Sequence, residues 1–548
     1  MINYIIAYFV QTMDDGKVNI TDSYNNTITS DNADELWAFL YTPYRDRTTR
    51  ELKFFWDLDE SLSHIFKLMP PEECRTLLTT KFANTDYLYY RRSKNMIIKG
   101  SHVIQGKTPE GNHPYMACLY GLNSLIRTNT EPQNAQEVLA QGQHLLKALG
   151  SIGITTPMTL NSAIGIYESS MRNIKLTPDI KCIPTDAVDI LTYAKHCANR
   201  QGWISAYRVG LFSNAITYDV SGSYAYWLSQ IRQFDHAQYI PYSKDFTNQP
   251  ENRDDIIKGN ITGFFKVELT INDDIMVHPF AYVGTSGLPI YPTGTFETYL
   301  TLEEILCFSH YKIGTIKVLD GWFVKFMTPY KPMLHIVNRL YKMRELGEIE
   351  NDLCKGILVG YVGKMNAQFE DDSTSKTYNP LIAGWIYAQA RLQVFRFIME
   401  NQLQDSLIAV STDGVMTTKK VTKSILSKNR QLGTWRLNEP CPALVLSPGW
   451  IIYQDKKPHS ITYNMALDLI KNNQSTNHYR ATIPKRVTLF ESLEILHDIS
   501  MVGQITDHYN TIDLAEIEMS QDRIFKSFPK TGKTLLSGNI YDSKPIKV

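Results

Sequence analysis

A chain of 548 residues is longer than one hydrophobic core usually supports, so it is expected to fold as several domains or one large multi-lobed assembly. With 43% hydrophobic and 20% charged residues, it has the balance of an ordinary soluble globular protein, far from a disordered or membrane-embedded chain. Lysine plus arginine equals aspartate plus glutamate at 56 each, so net charge gives no support for a nucleic-acid partner, and any basic surface must be local.

The opening MINYIIAYFVQTMDDG has no basic segment before its apolar residues and reads as a first strand rather than a signal peptide. Residues 1 to about 130 mix short β-like runs with a helical stretch around Ser61 to Leu68, the grammar of an α/β domain. From 135 to 200 two amphipathic helices follow, NAQEVLAQGQHLLKALG and AVDILTYAKHCANRQG, each stopped by glycine. Strands begin at 203 with WISAYRVGLF and NAITYDVSGSYAYWL, and resume in ITGFFKVELTIN and GTIKVLDGWFVKFM. Between these last two lies a short helix that Thr301 caps, with Glu304 three residues on. Helices are expected from about 332 to 346, 350 to 363 and 381 to 402, and SLIAVSTDGVMTTKK is a hairpin. The remainder is mixed α+β. No apolar run approaches the roughly eighteen residues of a membrane span. Seven scattered cysteines without a C-x-x-C pair point to a reducing, cytoplasmic compartment and away from a zinc site.

Two acids follow or end apolar strands: Asp219 in ITYDVSGSYA and Asp413 in LIAVSTDGVM. A carboxylate at the rim of a buried sheet loses solvation unless a cation binds it, and hard oxygen ligands favour magnesium. An aspartate at a strand end or hairpin turn is also common for purely structural reasons. Lys419, Lys420, Lys423, Lys428 and Arg430 form the one dense basic run, which reads either as a solvated helix face or as a phosphate contact.

Three short motifs in order resemble those of B-family DNA polymerases of the phage and plasmid, protein-primed-like branch. Y-D-V-S-G-S-Y-A resembles the palm motif D-x-x-S-L-Y-P, K-G-I-L-V-G-Y-V-G-K resembles the fingers motif K-x-x-x-N-S-x-Y-G-K, and S-T-D-G-V resembles D-T-D-S. The resemblance implies an α+β fold of palm, fingers and thumb behind a ribonuclease-H-like α/β domain. It implies a template-directed polymerase that adds dNTPs to the primer 3′-hydroxyl of primer-template DNA. Two Mg2+ ions about 4 Å apart would be held by Asp219, Asp413 and the Val220 carbonyl, with Mn2+ able to substitute. By the same resemblance Tyr224 lies under the incoming sugar and crowds a 2′-hydroxyl, while Lys355 faces the triphosphate; Arg344, eleven residues earlier on the fingers helix, reads either as a second triphosphate contact or as part of a solvated face. Gly363 would let the backbone approach the nascent pair, and Lys364, Lys419, Lys420, Lys423, Trp450 and Arg523 are expected to contact DNA. A terminal protein or other replication proteins are admitted as partners, and a membrane is not.

The sequence departs from the family at Gly222, Ser223 and Ala225 in the first motif, at Val359 to Val362 in the fingers, and at Ser411 in the third. These spare the two acids and the lysine but put sugar discrimination and fidelity in question. In the amino-terminal third, the first strand carries no acid, and F-W-D-L-D-E-S puts Asp57 and Ser61 where the family's nuclease has asparagine and aspartate. The expected reading is a retained exonuclease fold without proofreading, although Asp57, Asp59 and Glu60 form an acidic cluster. The expected domains are a degenerate exonuclease-like region 1–135, a helical connector 136–200, palm 201–330 and 371–440, fingers 331–370, and a thumb and C-terminal region 441–548. The rival from another class is a catalytically inactive polymerase-like scaffold or DNA-binding protein. A polymerase that accepts ribonucleotides is a third possibility.

Overall fold

The computed structural model describes residues 4–41, 50–70, 88–90, 102–107, 114–124, 131–151, 183–234, 237–283, 289–368, 374–375, 377–421 and 431–454, with short stretches between 463 and 513 and at 546–547. The chain forms two compact units: 1–170 with 339–360 and 484–508, and 171–338 with 361–483 and 509–548.

The first unit is built on a seven-stranded sheet in the order β3-β2-β1-β4-β7-β6-β5. Strands β1 (Tyr4–Thr12), β2 (Val18–Asp22) and β3 (Thr27–Ser30) form an antiparallel meander. β4 (Arg50–Phe55) lies parallel to β1, and β7 (Pro114–Gly121) parallel to β4; β5 (Leu88–Tyr90) and β6 (His102–Lys107) close the far edge antiparallel. A meander followed by parallel strands is the ribonuclease-H arrangement that the resemblance implies. Ile6, Ala7, Leu52, Phe54 and Phe55 are buried on the central strands β1 and β4. Helix Ala135–Ser151 presents Val138, Gly142, Leu145 and Leu149 to this core. At Gly142 an added Cβ would meet the Phe54 ring at 2.4 Å, so the glycine permits the close helix-sheet approach. Asp57 of the acidic cluster caps helix Leu58–Phe66 by accepting from the Glu60 N–H at 2.9 Å.

The second unit has two principal sheets. One is four-stranded and antiparallel: β10 (Ala237–Pro241), β11 (Ile261–Ile271), β14 (Gly294–Thr301) and β15 (Gly314–Phe326), in the order β10-β15-β11-β14. Two short strands, β12 (Tyr282–Val283) and β13 (Pro289–Ile290), pair beside it. The other follows β20-β19-β9-β17-β16-β8, from strands β8 (Trp203–Ala206), β9 (Arg208–Val220), β16 (Leu407–Thr412), β17 (Gly414–Thr417), β19 (Cys441–Ser447) and β20 (Trp450–Tyr453). β18 (Trp435–Leu437) and the strand Ile546–Lys547 also pair with β9. Helix Pro380–Glu400 is buried on nearly every side, which is why its sequence lacks an amphipathic stripe.

Thr301 and Glu304 form the capping box that their spacing predicts: the threonine hydroxyl accepts from the Glu304 N–H, and the Glu304 carboxylate accepts from the Thr301 N–H at 3.0 Å. Among the described residues no helix is long and apolar enough to cross a membrane.

The candidate active site

The expected acids meet on the second sheet. Toward its end β9 alternates, with Ile216, Tyr218 and Val220 buried in the core and Thr217 and Asp219 on the opposite face. Tyr218 locks this register by packing on Phe397 and accepting from the Val421 N–H at 2.7 Å. β16 and β17 pair Ser411 with Gly414 across a two-residue turn, Thr412–Asp413, in which Thr412 adopts a left-handed φ of 53°. A β-branched residue is costly there, and such strain concentrates at functional sites. Because β17 pairs with β9 so that Gly414 faces Asp219, the turn delivers Asp413 beside that acid. The Val220 N–H donates to the Asp413 carbonyl at 3.0 Å, and the Thr412 hydroxyl donates to the Asp413 carboxylate at 3.1 Å.

Two residues that sequence reading did not anticipate complete the pair. In β18, Arg436 lies opposite Asp219 and its guanidinium contacts Asp219 Oδ2 at 2.6 Å, while Asn438 donates to Oδ1. The i, i+2 spacing that places both on one face of an extended segment is the only sequence signal for them.

Tyr224 sits in the helix Ser223–Gln230 that follows β9, beginning after Gly222 in left-handed conformation. Its ring meets Tyr387 edge-on at 5.2 Å. Burial, followed by the nearby Tyr387 and the charge of Asp413, raises the phenol well above its ordinary value, so Tyr224 remains a neutral hydroxyl.

Magnesium suits this donor set: two hard carboxylates, one on β9 and one in the turn before β17, with backbone carbonyls beside them. No group of three or more His, Cys, Asp or Glu able to hold a metal occurs among the described residues. Water, backbone and substrate oxygens would therefore complete the shell. The Arg436–Asp219 pair is about one-third exposed, and pairs of that kind yield readily to a stronger cation.

The other expected residues lie on other elements. Lys355 is exposed on helix Glu348–Met365, in a stretch belonging to the first unit. Arg344 was expected within a helix, but helix Leu334–Met343 stops just before it: Arg344, Glu345 and Leu346 close tight turns, and Gly347 leads into the next helix. Its guanidinium stacks over Tyr341 and donates to Asn351 at 3.0 Å. Gly363 is exposed with open space around it, and Lys364 follows half-buried. Lys420 is exposed, whereas the Lys419 ammonium donates to the Gln402 carbonyl at 3.1 Å, at the C-terminal end of helix Pro380–Glu400. Trp450 opens β20 opposite Ser447. Lys423, Lys428, Arg430 and Arg523 lie outside the described residues.

Comparison with known proteins places this geometry in a fold. No family model and no curated protein matches the sequence. Among solved structures, Phi29 DNA polymerase in an orthorhombic crystal form matches with a TM-score of 0.57 at 12% identity, covering 93% of this chain and 99% of that one. The same polymerase complexed with primer-template DNA matches at 0.56 and 11% identity, and its ternary complex with incoming nucleotides at 0.56 and 12%, over the same shares of both chains. The chain has the α+β fold of a DNA polymerase, as the motifs implied.

Proposed function

We propose that the protein is a template-directed DNA polymerase of the B-family type, adding dNTPs to a primer 3′-hydroxyl with Asp219 and Asp413 as its metal-binding carboxylates. The observation that carries this reading is the pairing of β9 with β17, which sets two acids nearly two hundred residues apart side by side. Bound magnesium supplies activation of the primer hydroxyl and stabilisation of the departing pyrophosphate. The chain's own residues supply placement. The Val220–Asp413 bond holds the acids in register; the Val220 carbonyl would be an added metal ligand, and the neutral Tyr224 ring would wall the sugar. Lys355 and Arg344 are assigned to the triphosphate as cations that complement its charge. Gly363 is assigned to the nascent pair; Lys364, Lys419, Lys420, Lys423, Trp450 and Arg523 are assigned to primer-template DNA. The domain limits drawn from the sequence belong to the same proposal, as does an exonuclease region without proofreading, since β1 carries no acid and Asp57 serves as a helix cap. So do the two-ion stoichiometry, action in replication of a phage or mobile element from the host cytoplasm, and engagement of a terminal protein.

A second reading, an inactive polymerase-like scaffold, is favoured by one observation: Arg436 and Asn438 occupy both oxygens of Asp219. Primer extension with magnesium and four dNTPs separates the two readings. Extension that disappears in Asp219→Asn and Asp413→Asn supports the enzyme; no extension by the unmodified chain supports the scaffold.

A further inference from the structure

Beneath the site lies a buried charge cluster that the proposed chemistry does not use. Arg200, Glu304 and Arg391 are each almost wholly buried. The Glu304 carboxylate accepts from Arg200 at 2.7 Å and from Arg391 at 3.0 Å. Burial opposes its charge, but the two guanidiniums outweigh that and hold the Glu304 carboxyl below its ordinary value. Arg391 bonds Glu304 through Nε and Nη2 and donates from its third nitrogen, Nη1, to the Gln201 carbonyl. Gln201 is one of the few non-glycine residues with left-handed φ, at 44°, so the cluster grips a backbone turn that does not form cheaply.

The turn delivers Gly202, which is buried. A Cβ at this position would lie 2.8 Å from the Tyr224 hydroxyl oxygen and 2.7 Å from Thr412 Cγ2. Both distances are well inside van der Waals contact. The backbone of Gly202 is thus the floor on which the tip of Tyr224 rests, and it also abuts the residue whose hydroxyl holds the Asp413 carboxylate. Resting on the reading of Tyr224 as the wall of the sugar pocket, we propose that Gly202, anchored through Gln201 to Arg391 and Glu304, is a positioning residue for sugar selection. It sets how far the Tyr224 ring stands from Asp413, and therefore how much room a 2′-hydroxyl finds.

The test is a cycle of Gly202→Ala, Tyr224→Phe and the double variant, read in two ways on the full chain. The first reading is thermal melting. Gly202→Ala lowers Tm by several degrees, and Tyr224→Phe, which removes the atom 2.8 Å away, recovers at least half of that loss in the double variant. The second is steady-state extension with dNTPs and with rNTPs. Gly202→Ala shifts the ratio of dNTP to rNTP kcat/KM by about 10-fold, mostly through KM, and the double variant returns to the ratio of Tyr224→Phe alone. Thr412→Ser, which removes Cγ2, is the control for the other contact: full rescue by it with none from Tyr224→Phe assigns Gly202 to the Asp413 turn and overturns the proposal. Equal losses for dNTPs and rNTPs also overturn it. A coupled melting cycle in a protein whose unmodified form extends no primer would leave the packing standing and remove both the polymerase reading and the sugar role.

Discussion

The backbone N–H of Val220 donates to the carbonyl of Asp413 at 3.0 Å, so one hydrogen bond joins the strand that carries the first acid to the turn that carries the second. The carboxylates project from neighbouring backbones whose separation the sheet fixes. That spacing survives loss of either side chain, because it depends on main-chain pairing of Asp219 with Gly414.

It follows that Asp219→Asn and Asp413→Asn lose primer extension by about 10³-fold or more, on the order of 4 kcal/mol of barrier, while the fold persists. Asp219→Asn also loses the ion pair with Arg436, whose partial exposure limits the stability cost to about 1 kcal/mol. Single-turnover extension, duplex binding and urea denaturation on the same samples check this. Retention of normal extension by either variant would end the assignment.

Glu304→Gln is expected to destabilise the second unit by about 3–5 kcal/mol, because it leaves two buried guanidiniums facing each other without their shared counter-charge. The shape changes little, so the cost isolates charge. Equilibrium urea unfolding measures it, and a loss below about 1 kcal/mol would show that the cluster is better solvated than its burial indicates.

How far the sequence disclosed this site depends on the range of the interactions. Asp219 was legible because it ends an apolar strand and opens a run that resembles the family's first palm motif, and Asp413 because S-T-D-G between apolar runs reads as the tight turn of a hairpin. Both signals are local. Arg436 and Asn438 were not legible, since nothing near them announces that β18 pairs with β9 more than two hundred residues earlier. Arg391 was hidden in a helix buried all round, where polarity marks no face. Lys419 was read as part of a basic run, yet its ammonium is drawn to the carbonyls at a helix end, an attraction that composition alone does not reveal. Arg344 was placed on a helix that in fact ends one residue earlier, within the ordinary uncertainty of helix boundaries.

His64 gives the first unit a pH dependence of its own. It bonds the Thr12 hydroxyl through Nδ1 at 2.7 Å, and burial, with a smaller contribution from the Lys67 charge, lowers it to about 4 from the usual 6.5. The unfolded chain therefore takes up the proton first as pH falls. The contribution is complete above about 6.5 and is lost as pH drops from there toward 4. His64 is partly exposed, so the expected loss is about 1–2 kcal/mol rather than the full value of the shift. Urea unfolding at pH 7 and pH 4.5, compared with His64→Gln, checks it: the variant should lose less stability than the parent over that interval. An equal loss would assign the acid sensitivity to other groups.

Arg436 bears most directly on the metal chemistry. Its guanidinium stands 2.6 Å from Asp219 Oδ2, so a divalent ion binding that oxygen competes with a cation covalently tethered to the neighbouring strand. The tether holds the guanidinium at high effective concentration, which lowers the apparent metal affinity by the fraction of time the carboxylate is engaged. Arg436→Gln keeps a hydrogen-bond donor, on a shorter side chain, but removes the charge. It is expected to bind Mn2+ about 3- to 10-fold more tightly, to lower the magnesium concentration needed for half-maximal extension to the same degree, and to cost less than about 1 kcal/mol of stability. Titration of Mn2+ followed by electron paramagnetic resonance reads affinity without any turnover, and the magnesium dependence of extension reads it through catalysis. Unchanged or weaker Mn2+ binding in the variant would mean that Arg436 supports the metal-bound geometry, by orienting the Asp219 carboxylate, and does not compete for it.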